Sequence, residues 1–274
     1  MVLNILLFAA TFITTLLSGA LMSNVDILRH PEQIALGLQF SLPLLAILGV
    51  HEMGHYVAGR LHRVDVTLPY FIPFLPIPPN PGTMGAVIKI RSPFPTRNAL
   101  MDIGAAGPLA GAAVAIPVLL FGLTLSHVRQ LSGLGGEHFQ LGEPLILKAA
   151  IRAVFGVLPV GQDVVLHPVA YAGWIGLLVT MLNLIPSGQL DGGHIAYAMF
   201  GGRYSETARL IPYALLLMGL VNPSWFVWAM ILFIIGTRHP APMFDDVPLS
   251  RGRKAIGALS LLLFILTFSP NPIS

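Results

Sequence analysis

The chain has 274 residues, of which 55% are hydrophobic and only 10% charged, with a mean hydropathy of +0.78 and a formal charge of +3. Soluble domains carry about 25% charged residues, so this composition excludes an ordinary soluble protein and predicts an all-α polytopic membrane protein whose first partner is the lipid bilayer. The absence of cysteine excludes a disulfide framework and a thiolate metal site, and no basic cluster interleaved with aromatics suggests nucleic acid.

A span needs about 20 apolar residues at 1.5 Å rise per residue. On that ruler the sequence predicts about six to seven transmembrane helices, at 3–22, 34–61, 99–125, 168–187, 207–221, 223–237 and 254–269, as one integral-membrane domain over 1–274 with its core at about 34–200. Segment 3–22 reads as a retained span rather than a cleaved leader, because its apolar run is long and no charged stretch precedes it.

The second predicted span carries the most informative residues. His51-Glu52-Met53-Gly54-His55 interrupts a stretch that is otherwise almost uncharged. Ionisable groups in hydrocarbon cost several kcal/mol unless paired or metal-bound, so within a span they read as functional. On a helix, positions i and i+4 share a face, which lets His51 and His55 bind one Zn²⁺ with Glu52 beside it as a base. Between the second and third spans, 62–98 is too rich in proline for a helix, at Pro69, Pro73, Pro76, Pro78, Pro79 and Pro81. Within it, Gly85-Ala-Val-Ile-Lys-Ile-Arg91 reads as a short strand, a small membrane-associated β element.

The third span is rich in small residues from Gly104 through Gly111, a face that permits close helix packing. The segment 126–167 reads as a polar, Gly-rich loop with an apolar-periodic piece at Leu145–Val157 lying along the interface. In the fourth span, Pro186 and Gly188 predict a break, and Asp191 follows it at a depth comparable to the two histidines. A catalytic zinc usually takes three protein ligands, so Asp191 is the expected third. His194 is expected to face the cytosol, and His62 to be interfacial. Helices 207–221 and 223–237, joined at Asn222-Pro223, read as a tight pair of spans, and 207–269 as the C-terminal helices.

Eleven Lys and Arg fall on one side of the predicted spans and four on the other. The rule that cytoplasmic loops are Lys/Arg-rich places Arg60, Arg63, Lys89, Arg91, Arg97, Arg203, Arg209, Arg238, Arg251, Arg253 and Lys254 in the cytosol. The active site is then buried nearer the cytosolic face.

Several motifs together resemble the site-2 proteases, intramembrane zinc metalloproteases, and most closely their short bacterial and chloroplast-type homologues. They are His51-Glu-Met-Gly-His-Tyr56, Leu68-Pro-Tyr-Phe-Ile-Pro73, Asp102-Ile-Gly-Ala-Ala-Gly-Pro108, Ala172-Gly-Trp174, Asn183-Leu-Ile-Pro186 and Leu190-Asp-Gly-Gly193. The resemblance implies one zinc per chain held by His51, His55 and Asp191, with Glu52 as the base and Asn183 holding substrate. It differs from other branches in that these residues contain no segment long enough for a PDZ or CBS domain.

The expected substrate is a transmembrane protein helix, whose peptide bonds must be unwound before hydrolysis. The strand at Gly85, Val87 and Ile88 is the expected clamp for the extended segment, by strand addition at its edge. The competing class is a non-proteolytic membrane metal-binding protein, such as a transporter or adaptor. It has no need of a carboxylate one residue after the first ligand.

Overall fold

The structure is a computed structural model that describes all residues except 24, 28, 78–79, 131–140 and 273–274. The readings at Pro78, Pro79 and the centre of the Gly-rich loop therefore lie outside the described residues. The chain is mostly helical: α1 (Val2–Met22), a 3-10 helix (Pro31–Gly37) running into α2 (Leu38–Leu61), α3 (Arg97–Thr124), α4 (Leu145–Phe155), α5 (Pro168–Asn183), α6 (Asp191–Phe200), α7 (Tyr204–Ala208), α8 (Ile211–Gly219), α9 (Ser224–Ile235) and α10 (Arg251–Thr267). Among the described residues three helical segments are long and apolar enough to cross a membrane: Val2–Met22, Pro31–Leu61 and Arg97–Thr124.

The fourth, fifth and sixth predicted spans form shorter helices than their apolar runs suggested, while the seventh forms α10 at nearly its expected length. The fourth stops at Asn183, and a second short helix, α6, restarts at Asp191. The fifth and sixth segments divide into α7, α8 and α9, where α8 and α9 have 9 and 12 residues. Pro212 falls in the first turn of α8, where its missing N–H is not needed. The expected interfacial piece forms α4, with Leu147 and Ala150 turned inward.

Two small antiparallel sheets accompany the helices. In the first, β1 (Tyr70–Pro73) pairs with β2 (Thr83–Val87), with Tyr70 opposite Val87 and a register shift between Phe71 and Pro73. This corrects the strand expected at Gly85–Arg91. The ladder begins two residues earlier and ends at Val87, leaving Ile88 beyond it and Ile90 in an isolated bridge to Val66. β1 was not anticipated, because Pro69 and Pro73 bracket it and mask its short apolar run. The second sheet, β3 (His127–Gln130) with β4 (Gln162–Val165), closes the ends of the 126–167 segment.

The core has α3 at its centre, packed against α2, α5 and α6. One cluster joins α2, α3 and α5 through Phe40, Leu44, Ile47, Leu119, Trp174 and Leu177. α1 lies outside this core and anchors the first sheet through polar side chains on one face. Asn4 Nδ2 donates to the carbonyls of Leu68 and Pro69 at 3.1 and 2.9 Å, and Ser18 Oγ donates to Asn80 O at 2.5 Å. Thr15 and Ser41 share a hydrogen bond at 2.6 Å, fully buried between α1 and α2. In hydrocarbon such groups need partners within the protein.

Candidate metal centre

Four elements build the site. α2 projects His51 and His55 from one face, one helical turn apart, and both rings are buried. α5 ends at Asn183, and a tight turn returns the chain so that α6 opens with Asp191. That return depends on glycine. A Cβ at Gly192 would strike the carbonyl of Leu184, one at Gly193 the carbonyl of Gly188, and Gly188 itself adopts a positive φ of 55°.

The predicted ligands converge. His51 Nε2 lies 3.2 Å from His55 Nε2 and 3.2 Å from Asp191 Oδ2, and His55 Nε2 lies 3.3 Å from the same carboxylate oxygen. These near-equal separations match the edge of a tetrahedron, about 3.3 Å for metal bonds of about 2.0–2.1 Å. Chemistry points the same way. His55 Nδ1 is 2.7 Å from the Ile103 carbonyl, which can only accept, so the ring proton sits on Nδ1 and Nε2 is left with its lone pair. The Asp191 carboxylate oxygen and the His55 Nε2 lone pair repel each other unless a cation lies between them. The residues fit a metal, and among the described residues they are the set of His, Asp and Glu so grouped.

α3 supplies the space. Its glycines 104, 107 and 111 lie on one face, and each seats a histidine. A Cβ at Gly111 would come within 3.0 Å of His51 Nδ1, one at Gly107 would fall on the His55 ring, and one at Gly104 would approach His194 Cβ at 2.7 Å. The small-residue face expected for close packing is thus specifically a cradle for imidazoles.

Glu52 is buried beside the pair, with the backbone of Ile88, immediately after β2, facing its carboxylate. Asn183 Nδ2 sits 3.3 Å from His51 Nε2, which places its amide beside the predicted ligands. Of the proposed clamp, Ile88 reaches Glu52 through its backbone, Val87 is half exposed on β2, and Gly85 holds a positive φ of 95° with open space where a side chain would be.

One histidine expectation is corrected. His194 does not face solvent. It is only 7% exposed and hydrogen-bonded at 2.6 Å to His239, which sequence reasoning missed because nothing in its spacing links it to the site. His62 is half exposed at the end of α2, with its Nε2 2.7 Å from Asp102, which also takes a bidentate hydrogen bond from Arg253.

A membrane-embedded helix pair presenting two histidines, a neighbouring glutamate and an aspartate from a broken helix defines a metal-dependent hydrolase class of site. Residues 39–220 match Peptidase family M50, and the chain belongs to that family. It is similar to proteins named "Probable zinc metalloprotease EGY1, chloroplastic" of Arabidopsis thaliana, at 33% identity over 85% of this chain and 43% of the relative, and "Probable zinc metalloprotease EGY2, chloroplastic" of Oryza sativa subsp. indica, at 31% over 96% of this chain and 50% of the relative. It also resembles "Probable zinc metallopeptidase EGY3, chloroplastic" of Arabidopsis thaliana, at 31% over 83% of this chain and 42% of the relative. The chain spans about half the length of these curated relatives or less.

Proposed function

We propose that the chain is a zinc-dependent endopeptidase that hydrolyses peptide bonds within or near the transmembrane segments of membrane proteins. The observation that carries this reading is the near-equilateral set of His51, His55 and Asp191 donor atoms inside apolar helices, with the Glu52 carboxylate buried alongside. Family membership and the names of the relatives support it.

His51, His55 and Asp191 are the zinc ligands in this reading. Zinc bound there supplies a Lewis acid that polarises a peptide carbonyl and acidifies a water molecule. Glu52 takes the proton of the attacking water and returns it to the leaving amine. The amide of Asn183 offers a donor and an acceptor to backbone groups freed when a substrate helix unwinds. The outer edge of β2 at Val87, with Ile88 just beyond it and the Gly85 backbone tied to the Thr83 hydroxyl before it, receives the unwound segment as an added strand. Because the Ile88 backbone adjoins Glu52, substrate pairing there bears directly on the base.

The Lys/Arg asymmetry supports an orientation with the site nearer the cytosolic face, and the apolar α5, α8, α9 and α10 complete a bundle of six to seven membrane-inserted segments. The test is reconstitution of purified protein with a single-span substrate in liposomes, mapping product ends by mass spectrometry. Cleavage within or next to the span by wild type, and none by Asp191→Asn, is the expected result. Zinc binding without any cleavage of a panel of such substrates would favour the adaptor instead.

A further inference from the structure

Residues 237–250 leave α9 at Gly236 and cross the N-terminal end of α3 before α10 begins. This strap is mostly exposed, yet it is fastened along its length. Met243 and Phe244 donate backbone N–H groups to the carbonyls of Phe94 and Pro95 at 2.9 and 3.0 Å. Arg97 grips Asp245 through Nε at 2.8 Å and Nη2 at 3.3 Å, and Tyr197 Oη donates to the same carboxylate at 3.3 Å. Ser250 N donates to Asn98 Oδ1 at 3.1 Å.

The one strap side chain that reaches deep into the protein is that of His239 among its polar residues, and it meets His194 in a pocket closed by rings. Tyr197 stacks on His239 with centroids 4.7 Å apart, and Phe94 packs edge-on to His194 at 5.2 Å. The proton order follows from the partners. His239 Nδ1 lies 2.7 Å from the Pro240 carbonyl and must donate to it, so in the neutral ring its Nε2 accepts from His194 Nδ1–H at 2.6 Å. Burial holds the His239 imidazole below its usual range, in keeping with the neutral form.

His194 lies one turn beyond Asp191 on α6, and its Cβ rests on Gly104 in the same glycine row that seats His55 and His51. The base of the strap also touches the return loop, because the carbonyl of Gly236 lies where a Cβ on Gly188 would stand. We propose that the strap is a positioning element for the metal centre, holding α6, and with it Asp191, in register with His51 and His55 through the His194–His239 hydrogen bond. The inference rests on Asp191 being a metal ligand. Metal bonds tolerate displacements of only about 0.2 Å, so a small slide of α6 along α3 is enough to weaken the site. His194 and His239 have no contact with substrate in this scheme and act only through α6.

The test uses the full chain loaded with Co²⁺, reading affinity by chelator competition and ligand geometry by visible absorption. His239→Ala is expected to weaken Co²⁺ binding about tenfold, the scale for groups that orient metal ligands from outside, and to shift the absorption bands. His239→Gln, whose amide can accept from His194 and donate to Pro240, is expected to restore most of both. Asp245→Ala loosens the strap from its exposed side without entering the core and is expected to cost about threefold, the scale of a surface ion pair. Unchanged affinity and spectrum in His239→Ala, or in Asp245→Ala where His239→Ala does not fold, overturns the proposal. Asp191→Asn separates the two levels: if it too leaves binding and spectrum unchanged, the ligand assignment has failed, whereas if it alone weakens binding, only the strap proposal has.

Discussion

Adding one methyl group to the glycine row of α3 should be enough to dismantle the metal centre, and the two positions that seat the predicted ligands, Gly107 and Gly111, should differ in a predictable order. At Gly107 the new Cβ would overlap the His55 ring itself. That ring is tied at Nδ1 to Ile103 O at 2.7 Å and stands edge-on to His51 with centroids 5.0 Å apart, so it cannot swing aside without breaking one contact or the other. Relieving the overlap takes a movement on the order of an ångström, against a tolerance of about 0.2 Å for a ligand atom. At Gly111 the Cβ would stand 3.0 Å from His51 Nδ1, which a shift of a few tenths of an ångström relieves. Gly107→Ala should therefore lower zinc affinity by more than about a hundredfold, and Gly111→Ala by about tenfold, in line with about 1–3 kcal/mol for overpacking. Helix propensity works in the opposite sense, since alanine favours a helix interior over glycine by about 1 kcal/mol. Purified variants would be compared by zinc content and chelator competition, with circular dichroism to confirm the helical fold. A Gly107→Ala protein that binds zinc as tightly as wild type would refute this packing account.

Three further outcomes are expected. Replacing Ile88 by Pro removes the backbone N–H just past β2 and beside Glu52, so cleavage should slow while zinc content stays near wild type; equal turnover would argue against the clamp. The Arg97 guanidinium keeps the Asp245 carboxyl below the usual carboxylate range, and a depressed folded-state value means the contact contributes above an unfolded value of about 3.9 and is lost as pH falls through the folded one. The difference in exchange protection of 237–250 between wild type and Asp245→Ala, compared at each pH, should thus hold from pH 8 to 5 and vanish only in stronger acid, and its loss between pH 6 and 5 would contradict this. Thr15→Val leaves the buried Ser41 hydroxyl without its 2.6 Å partner and should destabilise the α1–α2 contact by about 1–3 kcal/mol, measured by unfolding in detergent mixtures.

Much of the site was legible because its chemistry conflicts with its surroundings. A histidine pair and a glutamate in an apolar helix stand out by spacing and by cost, and Asp191 stands out because Pro186 and the glycines around it announce a broken helix. The long helices α1, α2 and α3 were readable to within a few residues from apolar run length alone. Run length failed where the chain is apolar without being one continuous helix, as at α5 to α6 and α7 to α9. β1 was hidden between two prolines, since strand pairing depends on a partner that local pattern does not name. The His194–His239 contact was invisible for the same reason. It joins residues 45 positions apart, and a single histidine near a glycine pair gives no sign of whether it points to water or inward.

The most direct test of the proposed mechanism separates the base from the metal. Wild type and Glu52→Gln would be purified together and measured for bound zinc and for cutting of a single-span substrate. The mechanism predicts that both hold about one zinc per chain and that only wild type cuts. Cutting by Glu52→Gln at the wild-type rate would contradict it.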